Sequence, residues 1–148
     1  SALILMRRSE ALRRGIRPLA TLLTVQSIAV QPDGIAEAPA PAIRKALAKT
    51  GLTLDEMNLI EINEAFAAMP LVATRILSDG DDAKWKELLN KTNVNGGAIA
   101  IGHPVGASGA RILMTMMYEL RRRGGGKGVC AICGGLAQGD AAIINVNP

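Results

Sequence analysis

The chain has 148 residues, of which 49% are hydrophobic, 20% are charged and only 2% are aromatic, with a formal net charge of +4 at pH 7. This balance predicts one folded domain with an aliphatic and methionine core. Nucleic-acid-binding proteins often stack aromatic side chains on bases, and this chain has few such side chains. The positive charge is therefore weak evidence for nucleic-acid binding. No stretch reaches the ~18 apolar residues of a membrane span, and the opening run is too short for a secretory signal. We therefore expect a cytosolic protein.

The beginning of the chain shows strand and helix signals in turn. The apolar run Ala2–Met6 is typical of a buried strand, and Ser9 can cap a short helix that ends at Gly15. A second strand is predicted over residues 19–30, which gives a β-α-β opening. Because the first run has no loop before it, the sequence is typical of a domain entered part-way through its fold.

The middle of the chain predicts two more helices on either side of a short strand. A proline-containing loop at 31–41 leads into a helix that ends at Gly51. The strand Leu59–Ile62 then delivers Asn63 to its carboxyl end, where ligand groups of α/β sheets usually lie. A further helix is predicted over 65–77, and Pro70 should kink or delay it. Residues 78–91 are polar and predict an exposed excursion with a short helix.

The single histidine lies among glycines just before a long helical pattern. His103 is followed by Pro104, which fixes the turn, and by a helix predicted over residues 106–123. A helix amino terminus disfavours an imidazolium, so a neutral His103 there could act as a base or hydrogen-bond an oxyanion. Two alternatives are a structural histidine and a phosphate-binding loop, although the Lys-Ser/Thr ending of a P-loop is absent. The arginines at 121–123 are typical of a solvated helix end, with an anionic ligand as the alternative.

Two strands, predicted over residues 129–133 and 141–146, close the chain as a hairpin. They contain Cys130 and Cys133, whose i, i+3 spacing in a strand points the thiols to opposite faces. A shared metal or disulfide is therefore disfavoured, and we predict no metal site. We interpret Cys130 as a core thiol and Cys133, where strand becomes loop, as the reactive one. The alternation of elements predicts an α/β fold with one sheet covered by helices on both faces.

Three motifs carry a family resemblance. They are Asn63-Glu64-Ala65-Phe66-Ala67, Gly102-His103-Pro104-Val105-Gly106-Ala107-Ser108-Gly109 and Cys133-Gly134-Gly135. In this order they resemble the three signatures of the carboxyl-terminal half of the thiolases. The similarity covers essentially the whole chain, residues 1–148, as one thiolase carboxyl-terminal domain. It implies a mixed sheet that, paired with an amino-terminal half, forms a five-layer α-β-α-β-α body.

The resemblance also implies a reaction. Thiolases join two acyl-CoA units by Claisen condensation, as from acetyl-CoA to acetoacetyl-CoA, or run the reverse thiolysis. Coenzyme A thioesters are the substrates and no separate cofactor is needed. By this likeness His103 activates the nucleophilic cysteine and donates to the enolate oxygen, while Asn63 holds a water at the same oxyanion site. Cys133 is the acid/base, and the backbone N–H of Gly135 joins a second oxyanion hole.

The resemblance leaves one catalytic group unaccounted for. The nucleophilic cysteine of thiolases belongs to the amino-terminal half, and neither cysteine of this chain matches its motif. We therefore expect an amino-terminal thiolase partner in a hetero-oligomer, and no activity without it. Residues 35–38 differ from the Met-Gly-x-Gly-Pro pattern common in acetoacetyl-CoA thiolases, which leaves the acyl-chain preference open. The alternatives are a non-catalytic thiolase-like subunit that binds acyl-CoA or a partner enzyme, and an unrelated nucleotide-binding α/β module.

Overall fold

The computed structural model describes residues 1–147, which form one mixed sheet with helices on both faces. The strands are β1 Thr21–Ala29, β2 Leu59–Ile62, β3 Gly126–Gly134 and β4 Gln138–Val146. The helices are α1 Arg8–Arg13, α2 Pro39–Thr50, α3 Ala68–Leu77, α4 Asp82–Asn90, α5 Ala98–Ile101 and α6 Ser108–Arg122. None of the helices in these residues combines the length and apolar character needed to cross a bilayer.

The strand order places two carboxyl ends side by side. The sheet runs β1-β4-β3-β2, with β2 parallel to β3 and with β4 antiparallel to both β3 and β1. Ile62, the last residue of β2, lies opposite Ala131 of β3. Because parallel strands end at the same edge of a sheet, the residues that follow β2 and those that end β3 are brought together.

The two faces of the sheet bury separate apolar clusters. Val129 and Ala131 of β3 pack with α2 and α3, around Ile43 and other fully buried side chains. The alternate residue Cys130 packs on the opposite face against α6, around Met116. This period of two along β3 confirms the predicted sheet with helices on both sides.

The predicted opening of the fold is wrong. Residues 2–6 form no strand, and the side chains of Ile4 and Leu5 are 87% and 70% exposed. The β-α-β opening is therefore absent, although α1 and β1 lie close to where they were expected. Apolar composition favours burial but supplies no hydrogen-bond partner, and this segment pairs with no strand among residues 1–147.

Prolines begin helices here and do not bend them. Pro39 is the first residue of α2, so this helix starts inside the segment predicted as a loop, and it ends as expected before Gly51 at φ 70°. Helix α3 starts at Ala68 and not at residue 65, which makes Pro70 its third residue. A proline in the first turn has no helical N–H to lose, so Pro70 delays the helix without kinking it.

Helix α6 covers one face of the sheet and neutralises part of its own charge. Glu119 accepts hydrogen bonds from Arg122 and Arg123, with ion-pair distances of 2.6 Å to each. These bonds lower the pKa of Glu119 to about 2. Two of the three arginines at this end are thus paired within their own helix. This pairing favours the helix-end interpretation over an anion site.

Candidate active site

The candidate site lies at the edge of the sheet where β2 and β3 end. Asn63 follows β2, is fully buried, and donates its backbone N–H to the Ala131 carbonyl at 2.9 Å. Cys133 stands two residues beyond Ala131, near the end of β3. The parallel pairing of the two strands therefore holds Asn63 and Cys133 at one edge. No hydrogen bond within residues 1–147 joins Cys133 to His103.

The segment that carries the histidine is fastened to β2 by Asn93. The Asn93 side chain accepts from the Ile62 N–H and donates to the Ile62 carbonyl, both at 2.8 Å. The Asn93 side chain thus satisfies both backbone groups of Ile62, as a paired strand would. The backbone N–H of Asn93 adds a bond to the Ile60 carbonyl at 2.9 Å. The loop that joins α4 to α5 is thus fixed to β2 at its beginning.

Glu64 fixes the next part of the same loop. Its carboxylate accepts from the Ile99 N–H in α5 at 3.0 Å and from Asn93 Nδ2 at 3.3 Å. A Cβ atom at Gly97 would lie 2.5 Å from Glu64 Oε2, so glycine is required for this close approach. Glu64 therefore holds the turn that leads directly to His103.

Both nitrogens of the His103 ring have partners. Nε2 faces the side-chain Nδ2 of Asn63 at 3.4 Å, and Nδ1 faces Ser108 Oγ at 2.6 Å. Ser108 is the first residue of α6 and fully buried, and its Oγ donates to the Pro104 carbonyl at 3.2 Å. The helix start and the end of β2 therefore hold the ring between them, with the ring half-buried.

The two cysteine thiols face opposite sides of the sheet, as strand geometry predicts. Cys130 lies in the cluster under α6, and burial raises its pKa to about 12. Cys133 packs partly against the α2 cluster, and burial raises the pKa of its thiol as well. The raised pKa keeps Cys133 in its thiol form, so it is not a ready thiolate.

Gly135 opens a tight turn directly after β3. A Cβ atom there would meet nothing within 4 Å, so the space in front of its backbone is open. The next two residues, Leu136 and Ala137, adopt left-handed backbone angles with φ of 60° and 57°. Non-glycine residues hold such angles only where the surrounding structure fixes them, and these positions cluster at functional sites.

The surface around the site is apolar and open. Phe66, Ile99, Ile101, Val105 and Leu136 are between 60% and 86% exposed. All five lie within four residues of Asn63, His103 or Gly135 in the sequence, and we call them the apolar rim. No group of three His, Cys, Asp or Glu side chains within residues 1–147 is arranged to hold a metal ion.

Comparison with known proteins identifies the family. The domain described as "Thiolase, C-terminal domain" matches residues 16–146. The chain belongs to the thiolase family. The acetyl-CoA acetyltransferase of Syntrophomonas wolfei is 46% identical over 144 residues, and the cytosolic acetyl-CoA acetyltransferase of Mus musculus is 42% identical. The structure of human mitochondrial 3-ketoacyl-CoA thiolase in complex with CoA superposes with a TM-score of 0.85 at 42% identity.

The match covers this chain fully but its relatives only in part. It takes in 97% of this chain and 35% of the Syntrophomonas protein, and 95% of this chain and 34% of the human structure. This chain therefore spans about a third of the length of these thiolases, at their carboxyl-terminal domain.

Some residues of this thiolase domain's site were not picked out from the sequence. Ser108 and Arg111 contact the His103 and Asn63 side chains, and Glu61 lies buried on the same strand as Asn63. Two signals were available in the sequence. Glu61 is a charge inside an apolar strand, and Arg111 is a cation in the first turn of a helix, where the dipole disfavours it.

Proposed function

We propose that the chain is the base, acid and oxyanion-hole half of a thiolase. It would act in the Claisen condensation of acetyl-CoA to acetoacetyl-CoA or in the reverse thiolysis. The observation that carries the proposal is the placement of His103 Nε2 against the buried Asn63 amide, at the same sheet edge as Cys133. Membership of the thiolase family supports the reaction class.

The first half of the reaction forms an acyl-enzyme. His103 takes the proton from a cysteine thiol of the partner domain, and the resulting thiolate attacks the thioester carbonyl of the first acetyl-CoA. The Gly135 N–H stabilises the tetrahedral oxyanion. When the carbon–sulfur bond breaks, Cys133 gives its proton to the departing CoA thiolate. The acetyl group is then carried on the partner, His103 is protonated and Cys133 is a thiolate.

The second half makes the carbon–carbon bond and restores both groups. The Cys133 thiolate removes a proton from the methyl carbon of a second acetyl-CoA. Protonated His103 and a water held by Asn63 stabilise the enolate oxygen. The enolate carbon attacks the acetyl carbonyl, the partner thiolate departs, and His103 returns the proton to it. The protons balance over the cycle, and the elevated pKa of the Cys133 thiol favours its return to the protonated form.

The partner in this proposal is an amino-terminal thiolase domain that carries the nucleophilic cysteine. The apolar rim supports this, because large exposed apolar side chains close to site residues are typical of a surface that another protein covers. The coverage of only 35% of a relative is consistent with a further domain supplied by another segment or chain. We also expect a cytosolic location, to be checked by imaging a tagged protein.

The test is a reconstitution with single-residue variants. The chain is combined with an amino-terminal thiolase domain, acetoacetyl-CoA cleavage is followed by absorbance, and the acyl-enzyme is detected by intact-mass spectrometry. Cys133→Ala should still let the acyl group accumulate on the partner cysteine while losing turnover, and His103→Ala should impair both steps. Each loss should be on the order of 10²–10⁴-fold. Turnover of Cys133→Ala at the wild-type rate would contradict the assignment.

A further inference from the structure

Arg111 occupies an unusual place in α6. It is the fourth residue of the helix, in the first turn, where the exposed N–H groups and the dipole disfavour a positive charge. Its Nη2 donates to Asn63 Oδ1 at 3.2 Å, while its buried Nε has no hydrogen-bond partner within residues 1–147. A half-buried cation so placed needs a compensating charge.

Glu61 supplies that charge from the strand below. It is 1% exposed and lies on β2 two residues before Asn63, so both side chains point toward the α6 face. Arg111 acts on Glu61 in the direction that favours the carboxylate, whereas burial and the charges of Glu64 and Glu119 favour the protonated acid. Glu61 thus offsets the Arg111 charge through its ionised form, although Glu61 Oε2 and Arg111 Nε have no hydrogen-bond partner within residues 1–147.

The guanidinium of Arg111 determines which atom donates and which accepts in each of the hydrogen bonds that follow. A guanidinium has only donors, so the Asn63 atom that faces Arg111 must be the oxygen. The NH₂ group of Asn63 then faces His103 Nε2 and can only donate to it, so Nε2 carries the lone pair. The ring proton is left on Nδ1, where Ser108 Oγ accepts it, and the Ser108 hydroxyl proton goes to the Pro104 carbonyl.

We propose that Arg111, with Glu61 as its counter-charge, is a positioning residue that orients the Asn63 amide and thereby fixes the His103 tautomer with the lone pair on Nε2. This inference rests on the proposed function for its consequence, because Nε2 is then the atom that takes the proton from the partner cysteine. The tautomer itself is a property of this chain. It is therefore measurable whether or not the reconstituted protein shows thiolase activity.

The direct test is nitrogen NMR of the imidazole. His103 is the only histidine in the chain, so ¹⁵N-histidine labelling of this chain gives one imidazole to assign, even beside an unlabelled partner domain. At neutral pH the neutral ring should show a protonated Nδ1 and an unprotonated Nε2. A neutral ring with the proton on Nε2 would overturn the proposal.

Variants of the arginine separate positioning from simple stability. Arg111→Met removes the donors, so the Asn63 amide can turn and the spectrum should change to a mixture of tautomers. The value of kcat should fall about 10- to 100-fold, less than for loss of the base itself, with KM nearly unchanged. Arg111→Lys retains one cationic donor and should recover part of both effects. Arg121→Met, an exposed arginine on the same helix, is the matched control and should leave tautomer and kcat unchanged.

A second variant keeps the test decisive if Arg111→Met does not fold. Ser108→Ala removes the acceptor for Nδ1–H with the loss of a single oxygen, but Arg111 and the Asn63 amide stay in place, so the lone pair should remain on Nε2. Wild-type tautomer and kcat in folded Arg111→Met, or a neutral ring protonated on Nε2 in Ser108→Ala, would refute the positioning role of Arg111. A normal tautomer response with no thiolase activity in any reconstitution would instead refute the proposed function and leave the positioning intact.

Discussion

Replacement of Glu61 by glutamine should increase the free energy of unfolding at neutral and higher pH but not at pH 4.5. Glu61 lies in the short edge strand β2, 1% exposed, and burial raises its pKa from the ordinary 4.5 to about 7. Arg111 offsets part of this effect, and the negative charges of Glu64 and Glu119 add to it. Because the folded state holds the proton more tightly than the unfolded state, stability is lost as pH rises from about 4.5 to about 7.

The size of the effect follows from the shift. A change of one pKa unit corresponds to about 1.4 kcal/mol, so the shift to about 7 corresponds to a loss of about 3 kcal/mol across this window. Glutamine has no proton to lose and keeps nearly the same shape. The Glu61→Gln variant should therefore be close to wild-type in stability at pH 4.5 and more stable by up to about 3 kcal/mol at pH 8.

Urea unfolding at a series of pH values measures this difference. The chain has a single tryptophan, Trp85, whose indole N–H is bonded to Thr74, so its fluorescence reports loss of the native packing. Glu37→Gln, at an exposed glutamate, is the control and should show no such trend. A stability difference that stays constant from pH 4.5 to pH 8, or a Glu61→Gln variant that is destabilised at pH 8, would refute the reasoning.

Three further outcomes are expected. In the assembled protein Cys133 should be alkylated by iodoacetamide and protected by acyl-CoA, while Cys130 should react only on unfolding; equal labelling would contradict their assigned environments. The chain alone should show no thiolase activity and should aggregate or bind a hydrophobic dye, and light scattering with an amino-terminal partner should detect a hetero-oligomer; an active soluble monomer would disprove this. Gly97→Ala should displace Glu64 and lower both the melting temperature and kcat. Gly96→Ala is the control: its Cβ meets nothing within 4 Å but its φ is 75°, so it should strain the backbone without moving Glu64.

Helices and strands were predictable from the sequence where a single physical signal determines their bounds. Strand β2 was predicted with its observed ends because a short apolar run between polar segments has few other solutions. The end of α2 was predicted because Gly51 takes the left-handed angle that glycine favours. Residues 2–6 were mispredicted because an apolar run indicates a tendency to be buried but does not indicate which strand or surface it packs against.

The site was predictable in its parts but not in its connections. Asn63 and His103 stood out as polar groups beside a strand end and a helix start, and the structure places them 3.4 Å apart. Arg111 did not stand out, because its role depends on β2 lying beneath the first turn of α6. That contact joins residues 48 positions apart in the chain, a separation that local periodicity cannot report.

The charge of Arg111 explains why Glu61, a destabilising residue, belongs behind the site. An ionised Glu61 costs folding free energy at neutral pH, and an apolar side chain would fit the core of β2 more easily. Glu61, however, offsets the charge of Arg111, which is half-buried in the first turn of α6. Without the Arg111 donor, a free Asn63 amide could turn its oxygen toward His103. Nε2 would then be held in its protonated form and could not accept a proton. The stability that Glu61→Gln should gain and the kcat that Arg111→Met should lose are therefore two measurements of one arrangement, in which folding free energy is given up to keep the lone pair of the His103 ring on Nε2.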